Sequence, residues 1–318
     1  MNGVIDTIIL AGDRSASRSV LGKNKLFLQI EGTPLLVYVL RALERVERVG
    51  SIHIIGPRDA IEQLLQGHQL GDSKKIDVLE QEDNAYQNFW SAFTHTVPGY
   101  YEGIEDVDQS VMDKQVLVLP TDMPFITAKE INEFLDACAA EILDYCLGMT
   151  EEEHLRKFYA TGDKPGIEMT YLHLQEGNYR INNLHLIRPF RVLNREYIEK
   201  IYERRYQKKF VNIAKMAYDF VSTRGYGFKP LYLYAILELA ILFRYYGISF
   251  MVQQLKKLVS SADMSTHGGA VLKTRIGIVE TTFGGCAVDI DSEKDFVVAE
   301  SMYREWMARI ESDDPEMI

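Results

Sequence analysis

The sequence predicts an α/β protein, with a mostly parallel sheet between helices and a helical insertion. Three observations predict it. Short apolar, β-branched runs alternate with helix-period segments through the first 150 residues, the pattern of βαβ units. The alternation breaks near residue 150 and returns near residue 276. A hydrophobic fraction of 47% over 318 residues supplies a sizeable core. The expected organisation is an α/β core over residues 1–150, an insertion with a helical subdomain over 151–275, and a return to the core over 276–318.

Each element has its own signal. Residues 4–10, VIDTIIL, read as a parallel strand, because strands covered on both faces are nearly continuously apolar. Ala11 and Gly12 then permit a tight turn. Residues 34–49 carry apolar side chains at helical spacing, with Pro34 near the start and basic residues toward the end. Residues 52–55 form a β-branched strand, 57–65 a helix, 76–79 a strand, and 84–96 a helix with Trp90 and Phe93 facing inward. Residues 97–113 are acidic and contain glycine, as surface excursions do. A strand follows at 116–119, then a helix from Thr127 to about Ala140. Residues 168–174 and 181–187 read as two strands joined by a Gln-Glu-Gly-Asn turn. Residues 194–221 and 230–259 are helical and rich in Tyr, Phe and Lys. Strands at 277–280 and 287–290 restore the alternation, and an amphipathic helix from Ser292 to about Ile310 closes the chain.

Composition excludes several classes. The formal charge of −11 argues against nucleic acid as a partner, since such binding neutralises phosphates with Lys and Arg. A nucleotide needs only a local basic pocket. Cys138, Cys146 and Cys286 are odd in number and lack metal-motif spacing, which fits a reduced cytoplasmic protein. The start has no basic segment before its apolar run, so no secretory leader is expected. Residues 231–252 are apolar but contain Glu238, Arg244 and Gly247. The uncharged run is shorter than the ~20 residues a bilayer requires, so a buried helical hairpin is expected instead of a membrane span.

Three motifs carry chemistry. After the first strand, Arg14, Arg18, Lys23 and Lys25 place four cations within twelve residues of an otherwise acidic chain. Ser15, Ser17 and nearby amides can cradle an anion there. The second motif is VLVLPTDMPFIT, residues 116–127. Its strand ends in Asp122, over the crevice where open α/β sheets bind ligands, and a hard carboxylate there suits Mg²⁺. Asp122 could equally cap the next helix or satisfy a turn. The third motif is AVDIDSEKDFVVAE, residues 287–300. In a strand, Asp289 and Asp291 share one face. Ser292 or Asp291 then caps the last helix, and Asp295 complements its dipole.

Together these motifs resemble the nucleotidyltransferases of the GT-A type, a Rossmann-like class, and within it the branch of molybdopterin guanylyltransferase and cytidylyltransferase-like enzymes. Leu10, Ala11 and Gly12 match the family's opening, Arg18 and Lys25 keep its Arg-to-Lys spacing, and Leu28, Gly32, Pro34, Leu35 and Leu36 complete it. Asp13 replaces the usual second glycine, and one extra residue precedes Arg18. The resemblance implies transfer of a nucleoside monophosphate from a nucleoside triphosphate to a phosphorylated small-molecule acceptor, with release of pyrophosphate and with Mg²⁺ as cofactor. It makes Arg18 and Lys25 catalytic. Leu10, Ala11, Gly12, Arg14, Ser15, Asn84 and Asn88 would bind nucleotide, and Asn182 and Asn183 would meet the acceptor. Asp122 would ligate metal with Asp291, Asp289 being the alternative second ligand. His173 and His185 read as packing or solvent residues. The competing classes are a GT-A glycosyltransferase using a nucleotide-sugar and a non-catalytic nucleotide-binding relative, which the Asp13 departure keeps open. The base, the acceptor and the oligomeric state are not specified by the sequence.

Overall fold

The computed structural model describes residues 4–13, 20–100, 108–140, 142–195 and 228–312. In chain order the strands are β1 (Ile5–Leu10), β2 (Gln29–Ile30), β3 (Thr33–Pro34), β4 (Val49–Gly56), β5 (Ile76–Glu80), β6 (Val116–Pro120), β7 (Tyr145–Glu151), β8 (Leu172–His173), β9 (Asn178–Ile187) and β10 (Ile276–Thr281). The helices are α1 (Leu35–Glu44), α2 (Arg58–Gln66), α3 (Ala85–His95), α4 (Gln109–Met112), α5 (Ala128–Ala139), α6 (Glu152–Leu155), α7 (Lys229–Tyr245), α8 (Ser249–Lys256), α9 (Ser261–Leu272) and α10 (Glu293–Glu311).

The central sheet runs β5–β4–β1–β6–β9–β7–β10, with β8 added to β9. β5, β4, β1 and β6 are mutually parallel, as are β7 and β10. β9 enters antiparallel between β6 and β7, so the region after residue 150 contributes a strand to the middle of the sheet. β2 and β3 form a separate ribbon.

The sheet is covered on both faces. In β1, Ile8 and Ile9 are both fully buried, although adjacent strand residues point to opposite sides. Ile9 joins Leu36, Leu40, Ile54, Leu119 and Phe134 on the α1–α5 side. Ile8 joins Ile55, Phe93, Val116 and Val118 on the α3 side. Burying each such side chain contributes roughly 1.5–3 kcal/mol, which fixes the strand's register between the two layers. Helix starts follow their cap residues: Asn84, Thr127 and Ser292 each accept a hydrogen bond from the backbone N–H three residues on.

Four features depart from the sequence expectations. β7 was not anticipated, because Gly148 interrupts its apolar run. A Cβ at Gly148 would collide with the side chain of Asn182, so the glycine serves close packing between β7 and β9. The strand expected at 287–290 does not form. Residues 285–287 make a 3₁₀ turn after Gly284, at φ 80°, and the chain then runs extended without joining the sheet. The helical hairpin expected around Gly247 forms as α7 and α8, with Gly247 at φ 72°, but it is not buried: Leu239, Leu242, Tyr245, Tyr246 and Phe250 are exposed. The unanticipated α9 follows behind the Ser260–Asp263 capping box. In the helix expected at 194–221, residues 196–221 lie outside the described residues. Glu238 and Arg244 are exposed, while Leu233 and Ile236 pack on Met149, Leu174 and Tyr179. No helix among the described residues is long and apolar enough to cross a membrane.

A buried polar network ties the 285–287 turn to the sheet. Glu130, 0% exposed, accepts from the Cys286 N–H at 2.9 Å and from the Thr281 hydroxyl at 2.9 Å. Asn182 Nδ2 donates to Thr281 Oγ1 at 2.8 Å. Burial pushes the Glu130 carboxyl above its ordinary value, with the two donors opposing the shift. Glu130→Ala leaves the buried Cys286 N–H unpaired and takes from the Thr281 hydroxyl its carboxylate acceptor, at about 1–3 kcal/mol for each buried group left unsatisfied. We expect a melting temperature lower by roughly 5–15 °C, with Glu130→Gln closer to wild type. A melt within a degree of wild type for the alanine variant would contradict this assignment.

Candidate active site

The site forms where β1 and β6 end. At the close of β1, the Ala11 N–H donates to Ile55 O at 2.9 Å. A Cβ at Gly12 would lie 2.6 Å from Asn88 Nδ2, so glycine is required by close approach. Asn88 is buried, and its Oδ1 accepts from the Glu82 N–H at 2.6 Å. Asp13 donates its N–H to Gln81 Oε1 at 2.9 Å, and its Oδ1 accepts from Gln81 Nε2 at 2.6 Å. The carboxylate that replaces the family's second glycine is therefore held against Gln81. Asn84 caps α3 through the Gln87 N–H at 2.9 Å. In this structure Asn88 packs against Gly12, and Asn84 sets the start of the helix that carries it. Arg14, Ser15 and Arg18 lie outside the described residues.

Lys25 opens a short 3₁₀ turn at Lys25–Phe27, capped by Asn24 and anchored by the fully buried Leu26. Its Nζ lies 2.9 Å from Asp122 Oδ2 and 2.6 Å from Asp291 Oδ1. Asp122 stands two residues past β6, between the buried Thr121 and Met123. The Ile290 N–H donates to Asp122 O at 3.0 Å, stitching the two acidic segments together. Asp122, Asp289 and Asp291 each offer a carboxylate oxygen within 4.8 Å of the other two. The segment is no strand, yet Asp289 and Asp291 meet on one side as their spacing predicts.

Two cations compensate this cluster. Arg180 Nη2 lies 2.5 Å from Asp289 Oδ1, and its Nε donates to Ala287 O at 2.7 Å. Burial works against the charge on Lys25, but Asp122 and Asp291 outweigh it and hold the ammonium above the ordinary lysine value. Burial pushes the Asp289 carboxyl up; Arg180 opposes this and the neighbouring carboxylates add to it. Burial also opposes ionisation of Asp291, yet its bond to Lys25 brings that carboxyl below the usual range. Three hard oxygens converging just past the end of β6 make a donor set that could hold Mg²⁺. Lys25, on a flexible stem, can turn from these carboxylates to a phosphate.

Other expected residues fall elsewhere. Asn182 is 0% exposed and belongs to the Glu130 network. A side chain with no surface cannot touch an acceptor, so that expectation is corrected: Asn182 is a core residue. Asn183, at φ 63°, donates Nδ2 to Cys286 O at 3.2 Å and so braces the turn before Asp289. His173 pairs with Asn178 at 2.8 Å and His185 with Tyr145 at 2.9 Å, both away from the carboxylates in packing roles. Arg180 was missed by sequence reasoning. Its signal was one cation in the strand beside the two asparagines.

Gly12 after β1, Lys25 between Asp122 and Asp291, and the sheet with β9 reversed fit the nucleotidyltransferase class that the sequence motifs resemble. The family model described as the MobA-like NTP transferase domain matches residues 7–208, more than half of the chain, and the chain belongs to that family. A 134-residue stretch is 29% identical to the 2-C-methyl-D-erythritol 4-phosphate cytidylyltransferase of Bacillus cereus, covering 41% of this chain and 52% of that protein. The corresponding protein of Bacillus thuringiensis matches at 28% over 134 residues, with the same 41% and 52% coverage. The chain spans about half the length of these curated relatives. A solved structure from Thermus thermophilus, described as a hypothetical transferase, shares the fold: TM-score 0.54 at 20% identity, covering 92% of this chain and 99% of that one.

Proposed function

We propose that the protein transfers a nucleoside monophosphate from a nucleoside triphosphate to a phosphorylated small-molecule acceptor, releasing pyrophosphate. The observation that carries this reading is Lys25 at 2.9 Å from Asp122 and 2.6 Å from Asp291, over the ends of the strands that also carry Gly12. Asp122, Asp291 and Asp289 would hold Mg²⁺, which when bound would neutralise triphosphate charge. Lys25 places a second positive charge at the α-phosphate. An acceptor phosphate oxygen attacks the α-phosphorus, its new P–O bond forms as the bond to the β-phosphate oxygen breaks, and pyrophosphate leaves. The nucleophile is already an anion, so no general base is needed. Positioning and charge stabilisation supply the catalysis. Arg180 holds Asp289 and the turn before it in place. The hydrogen bonds of Asp13 to Gln81 support a reading in which its carboxylate points away from the triphosphate.

The acceptor would enter beside β8 and β9, with α7, which carries Tyr232, Tyr234 and Tyr245, and α8 as one wall. CTP heads the list of donors because the curated relatives are named as cytidylyltransferases. The test is a panel of four nucleoside triphosphates against phosphorylated polyols and sugars, read as pyrophosphate released. We expect one base to dominate and release to require both acceptor and Mg²⁺. Turnover of nucleotide-sugars with no pyrophosphate from any triphosphate would favour a glycosyltransferase and defeat the proposal.

A further inference from the structure

We propose a second metal site, for a divalent transition metal of the zinc type, formed by His53, Asp77 and His95. These residues lie at the end of α3 opposite to Asn84. His53 sits within β4, paired in register with Ile8 on one side and Asp77 on the other. His95 is the last residue of α3. Ligand atoms of the three residues lie within 4.8 Å of one another.

The second observation is His53 itself. Its side chain is 6% exposed, and its Nδ1 is buried without a hydrogen-bond partner. The closest carboxylate oxygen, Asp77 Oδ2, stands at 3.6 Å, beyond hydrogen-bond length. Buried polar atoms are nearly always satisfied, and an exception asks for an unrecorded partner such as an ion. The His95 ring presents itself at 5.7 Å from the His53 ring and 72° to it. His95 is exposed and can turn. Two imidazoles and one carboxylate form the borderline N/O set that zinc, cobalt and nickel prefer over magnesium.

Tetrahedral Zn²⁺ at ~2.0–2.1 Å from each donor needs donors about 3.3 Å apart, so closure asks for shifts of roughly 1 Å, within reach of a side-chain turn at His95. Burial keeps His53 below the ordinary imidazole value, in spite of Asp6 and Asp77, and the neutral ring is the ligating form. Lys75 holds Asp77 Oδ2 at 2.8 Å and Lys114 holds Asp6 at 2.7 Å. The ion therefore competes with Lys75 for Asp77. An ion here would tie the end of α3 to β4 and β5, beneath the helix whose other end braces the β1 loop.

The test uses the full chain, stripped with chelator and titrated with Co²⁺ by calorimetry and visible absorption. Asp122→Asn is included to silence the carboxylate cluster. We expect the Asp122→Asn chain to bind one Co²⁺ with the absorption of nitrogen ligation, undisturbed by excess Mg²⁺. His95→Ala in the same background should weaken binding by at least roughly 10–100-fold, the loss that follows from removing even an outer-shell partner. His95 is exposed, so the metal-free melting temperature should not change; Asp77→Asn provides the second variant. No Co²⁺ bound by Asp122→Asn, or unchanged affinity in both His95→Ala and Asp77→Asn, would overturn the proposal.

Discussion

Lys25→Ala is expected to lower turnover by roughly 10²–10³, the scale seen when one preorganised charge-stabilising donor is removed. The lysine is 14% exposed at its side chain and bonded to both Asp122 and Asp291. Its charge is therefore held beside the carboxylates until substrate arrives, and would then turn to the α-phosphate. A cation aimed at the α-phosphate matters most when negative charge builds there, so the loss belongs in kcat more than in KM. The substitution also leaves three carboxylates with Arg180 as the nearer remaining counter-charge, and the Asp291 carboxyl should rise from its depressed value. Steady-state kinetics on a pyrophosphate readout check this. Full turnover with only a raised KM would count against the role of Lys25.

Asp122→Asn is the second large effect. It removes the carboxylate nearest the end of β6, which is fixed through its own carbonyl to Ile290. The amide keeps the shape and removes the charge that a hard cation requires. Magnesium-dependent triphosphate binding should be lost in calorimetry. The melting temperature should stay close to wild type, because Lys25 retains Asp291 at 2.6 Å. Unchanged nucleotide affinity in the presence of Mg²⁺ would show that Asp122 is no metal ligand.

Much of this architecture was legible in the residues. β1, β4 and β6 declare themselves as apolar runs because both of their faces are covered. Gly12, Asp122 and the Asp289–Asp291 pair were readable because strand ends and two-residue spacing impose geometry locally. What was not readable is long-range. Lys25 meets partners 97 and 266 positions away, and no local pattern reports a pairing of that kind. Arg180 and Asp289, 109 positions apart, are hidden for the same reason. Asn182 misled because a polar residue in a strand looks like a site. Only the tertiary structure shows that Gly148 makes room for it and Thr281 satisfies it. β7 escaped notice through that same glycine, whose packing purpose looks like weak strand propensity. The 287–290 segment reads as a strand from its apolar alternation, yet Gly284 and the Glu130 network turn it out of the sheet.

The central claim is that the Lys25–Asp122–Asp291 cluster directs attack at the α-phosphate of a nucleoside triphosphate. The most direct measurement follows the label of an α-³²P triphosphate in the presence of the acceptor found in the panel, with wild type and Asp122→Asn side by side. The account predicts that label enters the acceptor product in step with unlabelled pyrophosphate, and that Asp122→Asn abolishes both. Label retained in nucleoside diphosphate while the γ-phosphate moves to the acceptor, or equal transfer by the Asp122→Asn chain, would contradict it.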